Sequence, residues 1–450
     1  MGLTDRNIYT LPTLPSLGPA GYAFTDPTFG SPAARVTDEN THTIGRSHET
    51  PSSSYQNAFS ADGTKFYTVE NTGSHIIWSL NRTTRAFVKI GEAAFSGEPV
   101  TWDSTNPNLL YGPGIFANHH TIVKVDVSTF PFVTTILLDL DTVTAGLTDT
   151  YIGALTEGNG VISCIYGGAS AEYHHYVLHY PIASPGSLQV LDTLVRNDLN
   201  EFGSHFGLHS DQIDKSGRFH GFVRTGTAGI HGQAVAPYLV YIWDALTNLV
   251  EPVRTAYGGH ESFGYGTRVN NDVLSGTWDA AQWILTPNLA APNDNRVNLF
   301  SPVLTPVQQY AADHSSWNNA RSDSMQPVFA EFYRYYTGPY NVPPEITNDV
   351  AWRALDGEVF CLATDGSGVV TRFFHHRMQT HPDSAPGAYY FRYTPRVNVD
   401  PFGRFFLVTS NWEKNLGTDS GEGVKRRDTF LVDCAPPGVG RARRRGGRFC

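Results

Sequence analysis

Arg396-Val397-Asn398-Val399, Asp400-Pro401-Phe402-Gly403, Arg404-Phe405-Phe406-Leu407-Val408 reads as a strand, a turn and a returning strand. Asp and Gly between two β-rich runs is a strong hairpin signal, because Asp bonds the turn amides and Gly supplies the left-handed backbone. The same pattern stands at Tyr55–Phe59, Ala61-Asp62-Gly63 and Lys65–Val69. It returns at His209–Ile213, Asp214-Lys215-Ser216-Gly217 and Arg218–Val223. Weaker copies run from Pro99 to Gly112, from Ile152 to Cys164 and from Gly264 to Leu274, and Ser315-Ser316-Trp317-Asn318-Asn319 opens another. The seven starts fall near residues 55, 98, 151, 209, 263, 314 and 393. A period of roughly 40–60 residues is that of propeller blades.

Outer strands follow each hairpin, as at His75–Leu80 and Tyr238–Trp243. The last copy has one clear outer strand, Thr429–Asp433, while Ala34–Asp38 is a spare strand at the other end of the chain. Pairing the two closes the ring and removes its exposed edges. The expected fold is therefore all-β, a seven-bladed β-propeller closed by an N-terminal strand in the last blade. Its domain would run over residues 31–436, after an extension of residues 1–30 and before an Arg/Gly-rich tail of residues 437–450. The interval between the last two starts holds an insertion at about 323–350. Its aromatic run Phe329–Tyr336 reads as a helix or an aromatic loop that shapes a rim or simply packs.

Composition agrees with short strands and tight turns. There are 43 Gly, 28 Pro, 22 Tyr and 26 Phe among 450 residues, and no long stretch shows a 3.6-residue apolar period. A net charge of −10 argues against a nucleic-acid partner. The exception is the tail with Arg441, Arg443, Arg444, Arg445 and Arg448, which reads as a solvated segment or a contact for an acidic partner. No run of 18 apolar residues is present, so no membrane-spanning helix is expected. The start MGLTDRN lacks the apolar core of a secretory leader, so a secreted protein would have lost its leader already. Cys164, Cys361, Cys434 and Cys450 form no CxxC pair, and their spacing permits a disulfide without requiring one.

First strands of blades line the central channel, so equivalent positions of different blades converge on the axis. His209 and His314 hold the same repeat position, His260 lies just before the fifth start and His205 just before the fourth. His209, His260 and His314 form a candidate site able to hold a divalent metal through imidazole nitrogens, and the bland alternative is polar filling of a wet channel mouth. Asp211, Gln212, Glu261, Asp313 and Asn318 supply oxygens nearby. Phe374-His375-His376-Arg377, with His381, follows an outer-strand run and is expected on a rim or outer surface. No Gly-x-Ser-x-Gly elbow, P-loop or dinucleotide fingerprint occurs, nor the repeated Ser-x-Asp-x-Gly-x-Thr-Trp turns of sialidase propellers.

The blade pattern, with His, Tyr and Arg at neighbouring blade starts, resembles the seven-bladed polysaccharide lyases of the oligogalacturonate-lyase and ulvan-lyase kind. The resemblance covers the repeat architecture over most of the chain; the Gln and closely spaced His that oligogalacturonate lyases gather around one metal have no aligned counterpart. It implies β-elimination on a uronic-acid glycan, with an acidic polysaccharide or oligosaccharide as partner and a divalent Mn, Ca or Zn ion as cofactor, in a secreted setting. On that reading His209, His260 or His314 is the base or holds the metal. Tyr265 is base or acid, Arg268 or Arg321 pairs with the substrate carboxylate, and Trp317, Trp278 and Asn318 contact sugar. The alternative is a non-catalytic propeller that binds glycan or protein, self-associates, or belongs to a surface assembly.

Overall fold

A computed structural model describes residues 2–51, 53–116, 119–144, 151–167, 174–193, 195–196, 208–224, 240–253, 261–273, 281–300, 311–322, 325–334, 354–379 and 393–434. The chain begins with β1 (Ala23–Thr25) and β2 (Pro32–Arg35). Blade 1 follows with β3 (His48–Glu49), β4 (Lys65–Glu70), β5 (His75–Leu80) and β6 (Phe87–Ala93). Blade 2 holds β7 (Thr101–Trp102), β8 (Leu109–Phe116), β9 (His119–Asp126) and β10 (Val133–Asp139), with the short helix α1 (Leu140–Val143) after it. Blade 3 is β11 (Tyr151–Gly158), β12 (Val161–Gly167), β13 (His174–Pro181) and β14 (Gln189–Asp192). Blade 4 is β15 (Leu208–Ile213), β16 (Phe219–Arg224), β17 (Val240–Asp244) and β18 (Leu249–Val253). Blade 5 is β19 (Ser262–Phe263), β20 (Arg268–Val273), β21 (Ala281–Thr286) and β22 (Val297–Phe300). Blade 6 is β23 (Ala311–Ser316), β24 (Val328–Arg334), β25 (Glu358–Leu362) and β26 (Val370–His375). Blade 7 joins both ends of the chain in the order β1-β2-β29-β28-β27, with β27 (Asn398–Val399), β28 (Phe405–Ser410) and β29 (Asp428–Asp433).

The expected seven-bladed ring is thus present, and β2 closes it. The fifth strand, β1, pairs outside β2 and was not announced by the pattern. Blade 1 also opens earlier than the repeat indicated. Its inner edge is His48–Glu49 against Val69–Glu70, and contact resumes only at the Phe59–Phe66 bridge. The residues between them, including Tyr55, are pushed out of the ladder. The aromatic run that reads as helix or loop is strand β24, paired with β23 on one side and β25 on the other. Residues 335–350 of that insertion lie outside the described residues.

The repeat has one physical unit, clearest in blades 4 and 7. Asp214 Oδ1 accepts the amides of Arg218 and Phe219 at 2.9 and 2.8 Å, and Asp400 Oδ1 accepts those of Arg404 and Phe405 at 2.6 and 2.9 Å. Gly217 and Gly403 close these turns at φ 76° and 66°, where a side chain would be strained. Arg218 and Arg404 then grip Asp244 and Asp433 with two nitrogens each. Each guanidinium lies 4.6 Å from the ring of the next Phe. Blades stack face to face, so both faces of their middle strands are covered. That is why β28 and β29 are buried at every position, while the outermost strand β6 is largely exposed.

The N-terminal segment wraps over the outside of blades 6 and 7. Leu3 bridges to Arg372, Pro12 O accepts from Arg377 at 3.1 Å, and Pro15 O accepts the Trp412 indole at 3.0 Å. This corrects the surface position expected for Phe374-His375-His376-Arg377. The run does begin on the outer strand of blade 6, but His375 and His376 are 0% and 1% exposed beneath the wrap. His381 and the tail lie outside the described residues.

Phe406 sits between blades 6 and 7 against the rings of Phe329, Phe373 and Phe374, at 6.1, 6.4 and 6.5 Å. Phe406→Ala should destabilise the protein by about 3–5 kcal/mol, whereas Val88→Ala on the exposed edge should cost under about 0.5 kcal/mol. Chemical denaturation midpoints of the two variants against the parent test this inter-blade packing.

Candidate functional site

The turns that follow the inner strands gather at one end of the channel. Asp214 Oδ2 accepts Gly266 N at 2.8 Å, tying blades 4 and 5, and Arg82 pairs with Asp400 at 2.5 Å, tying blades 1 and 7. A Cβ on Gly158 would lie 2.2 Å from Asp214 O, so blades 3 and 4 approach there as only glycine allows. Lys215 extends from this end. Its Nζ donates to Asn57 Oδ1 in blade 1 at 3.2 Å and to Asn318 Oδ1 in blade 6 at 2.9 Å. Blades 1 and 4 are separated by two blades one way around the ring and by three the other, so this contact crosses the axis. Asn57 passes the connection to Trp102 O at 3.1 Å, and Arg321 bonds Ser104 O at 2.6 Å. Glu157 accepts Ser104 N and Oγ at 2.8 and 2.9 Å and Gly160 N at 2.7 Å. Together these side chains floor the channel. Burial, reinforced by Asp103, holds the Glu157 carboxyl above its usual range. Burial, reinforced by Arg321, lowers the Lys215 ammonium.

Asn318, Arg321 and Tyr265 belong to this floor end; Tyr265 stands in the Gly264–Thr267 turn, 48% exposed. His209 belongs to the other end. Leu208 faces Arg224 and Ser210 faces Val223, so His209 is the extra residue of a β-bulge, which turns its side chain out of the ladder into solvent. Asp214 is five residue steps further along the strand, roughly 17 Å away. His314 is buried on the inner strand of blade 6, and its Nδ1 lies 3.1 Å from Glu331 Oε1. Arg268 is 1% exposed and 3.7 Å from Glu261. Trp317 is 1% exposed in the core between blades 5 and 6, and its indole donates to Gln326 O at 2.7 Å. His205, His260 and Trp278 lie outside the described residues.

The sequence pattern did not single out several channel groups. Glu331 accepts the amides of His314, Arg396 and Val397 at 3.2, 3.2 and 3.1 Å, stitching blade 6 to blade 7. Arg396 pairs with Glu49, which also takes Arg427 at 2.6 Å. These two guanidinium groups hold the Glu49 carboxyl below its usual range against the opposing effect of burial. Tyr55, from the displaced segment of blade 1, is affected by the charges of Asp211 in blade 4 and Glu261 in blade 5. It therefore lies near the axis, and burial raises its phenol so that it stays protonated. Asp211 is held from behind. Ser163 donates its one hydrogen to Asp211, so the 2.7 Å contact between Ser163 Oγ and His220 Nδ1 needs an N–H on His220. His179 Nδ1 follows, 2.9 Å from His220 Nε2.

Among the described residues, the group of His, Cys, Asp and Glu side chains compact enough to share one ion is His119, Asp139 and Asp141, outside the channel on blade 2. His209 and His314 do not form such a group with a third described residue.

No protein-family model matches the chain, and no curated protein matches it. Solved structures do. An oligogalacturonate lyase in complex with manganese is 12% identical, with a TM-score of 0.58 over 96% of this chain and 98% of that one. Oligogalacturonate lyase from Vibrio parahaemolyticus is 12% identical, with a TM-score of 0.57 over 92% of this chain and 96% of that one. The Swd1 propeller domain of Myceliophteria thermophila is 11% identical over 87% and 98% of the two chains, at a TM-score of 0.46. At 12% identity the likeness to the lyases is one of fold.

The floor makes a pH-dependent prediction. Glu157 is raised from 4.5 to about 7, so the native state holds its proton more tightly than the unfolded chain does. Its contribution to stability is greatest below pH 4.5 and is lost as pH rises through about 7. Glu157→Gln cannot lose that proton. Melting temperatures at pH 5 and 7.5 should show the parent losing ground to the variant at the higher pH; a constant difference would remove Glu157 as a titrating group of the floor.

Proposed function

We propose that the chain is a secreted, carbohydrate-active propeller that takes an acidic oligosaccharide or polysaccharide at the end of its channel opposite Lys215 and cleaves it by β-elimination. The observation that carries the reading is the His314–Glu331 pair at 3.1 Å between the first and second strands of blade 6. A carboxylate at Nδ1 fixes the orientation and tautomer of the imidazole, with Nε2 as the nitrogen assigned to react. The floor supports the same reading, since ligand enters opposite Lys215.

In a uronic-acid chain the C5 proton is weakly acidic and lies next to a carboxylate. A guanidinium beside that carboxylate stabilises the carbanion character that develops as the proton leaves; Arg396 and Arg268 are the channel arginines for this role. His314 takes the proton, the electron pair forms the C4–C5 double bond, and the C4–O bond breaks. The protonated phenol of Tyr55 supplies a hydrogen to the departing oxygen. His209 at its bulge and His260 complete the proposed set. A divalent Mn, Ca or Zn ion at His209, His260 and His314 would neutralise the carboxylate; no step above depends on it.

Incubation with pectate-, alginate- and glycosaminoglycan-type uronates should yield the ultraviolet absorbance of an unsaturated uronate. His314→Ala should lower that rate by about 10²–10⁴-fold, with Glu331→Gln in between. Binding of these glycans without unsaturated product would overturn the lyase reading in favour of a propeller that only binds.

A further inference from the structure

We propose a divalent-cation site on blade 2, formed by His119, Asp139 and Asp141 on the rim opposite the Lys215 end of the channel. It is independent of the lyase reading. His119 begins β9 and Asp139 ends β10, so the two strand ends bring an imidazole and two carboxylates together. One donor atom from each lies within 4.8 Å of the others, and His119 Nδ1 is 2.8 Å from Asp139 Oδ2. Ligands bound at about 2.1 Å stand roughly 3.0 Å apart on an octahedron and 3.4 Å on a tetrahedron, so small side-chain adjustments suffice.

Asp139 is aimed at His119, and Asp141 is held in place beside the pair. Asp139 Oδ1 accepts Asp141 N at 3.0 Å, which leaves Oδ2 turned toward His119. Asp141 Oδ2 accepts His120 N at 3.1 Å, and its Oδ1 lies 3.4 Å from the His120 ring. Asp139 is thus tethered by a backbone amide through Oδ1 and presents Oδ2 to His119, while Asp141 is held beside them by the backbone amide and ring of His120. A β-bulge between Ile136 and Leu138 shifts the register that brings Asp139 opposite Thr121, beside the start of β9. Two carboxylates this close repel each other, and a cation relieves that repulsion. One imidazole with two carboxylates suits Zn²⁺ or Mn²⁺ better than Ca²⁺, which prefers oxygen alone. The side chains of His119, Asp139 and Asp141 are 51%, 28% and 21% exposed, so an ion there exchanges with solvent and keeps water ligands.

The test is titration calorimetry of chelator-stripped full-length protein with Zn²⁺ and with Mn²⁺, backed by elemental mass spectrometry. The parent should bind an ion at this rim site that Asp139→Asn and His119→Ala weaken by at least tenfold, while His120→Ala, which disturbs only the support of Asp141, weakens it less. His209→Ala and His314→Ala should leave this binding unchanged. Thermal melts of each variant without metal exclude misfolding as the cause. Absence of any ion binding in the parent that Asp139→Asn weakens, or binding lost in the channel variants and kept in Asp139→Asn, would overturn the rim site.

Discussion

A three-residue ladder between β2 and β29 holds the ring shut: Ala33 opposite Val432, Ala34 opposite Leu431, and Arg35 opposite Phe430. Seven twisted sheets side by side otherwise form an open arc with two bare edges. The ladder is short, and a buried ion pair fixes its register. Arg35 Nη2 lies 2.6 Å from Asp428, which also takes Arg426 at 2.7 Å. Burial still raises the Asp428 carboxyl to about 6 against both arginines. A buried pair of this kind contributes more to choosing the partner strand than to net stability. The wrap of residues 3–17 then covers the seam between blades 6 and 7, with Leu14 and Leu17 packed on its core.

Closure also creates the polar interior. Inner strands meet at the axis, where backbone is crowded and side chains from distant blades face one another. The chain answers this in two ways. At the turn end, Lys215, Asn57 and Asn318 bridge the axis directly. Higher up, carboxylates bind neighbouring backbone and guanidinium groups: Glu331 joins blades 6 and 7, and Glu49 gathers Arg396 and Arg427. Two of these groups, Glu49 and Lys215, also have displaced proton affinities, so structural and chemical roles overlap in this channel.

How much of this was legible follows from the range of each interaction. The Asp-x-x-Gly turns act within a few residues, so blades 4 and 7 could be read directly, and the spare strand at Ala34 followed from counting. The run Phe329–Tyr336 defeated periodicity because both faces of β24 are covered and no alternation remains. His375 looked exposed because its cover comes from residues more than 340 positions away, Asp26 and Phe29. Lys215 looked like an ordinary turn residue, since its partners exist only once the ring is closed. Of the candidate site, His314 could be found from its repeat position; Glu331 and Tyr55 could not, because one sits on a second strand and the other in a segment expelled from the ladder.

The crossing at Lys215 also bears on assembly. Its ammonium reaches Asn57 in blade 1 and Asn318 in blade 6, so blades from both halves of the chain must be in place before both bonds form. The axial bridge is thus an interior closure of the ring, alongside the peripheral one between β2 and β29.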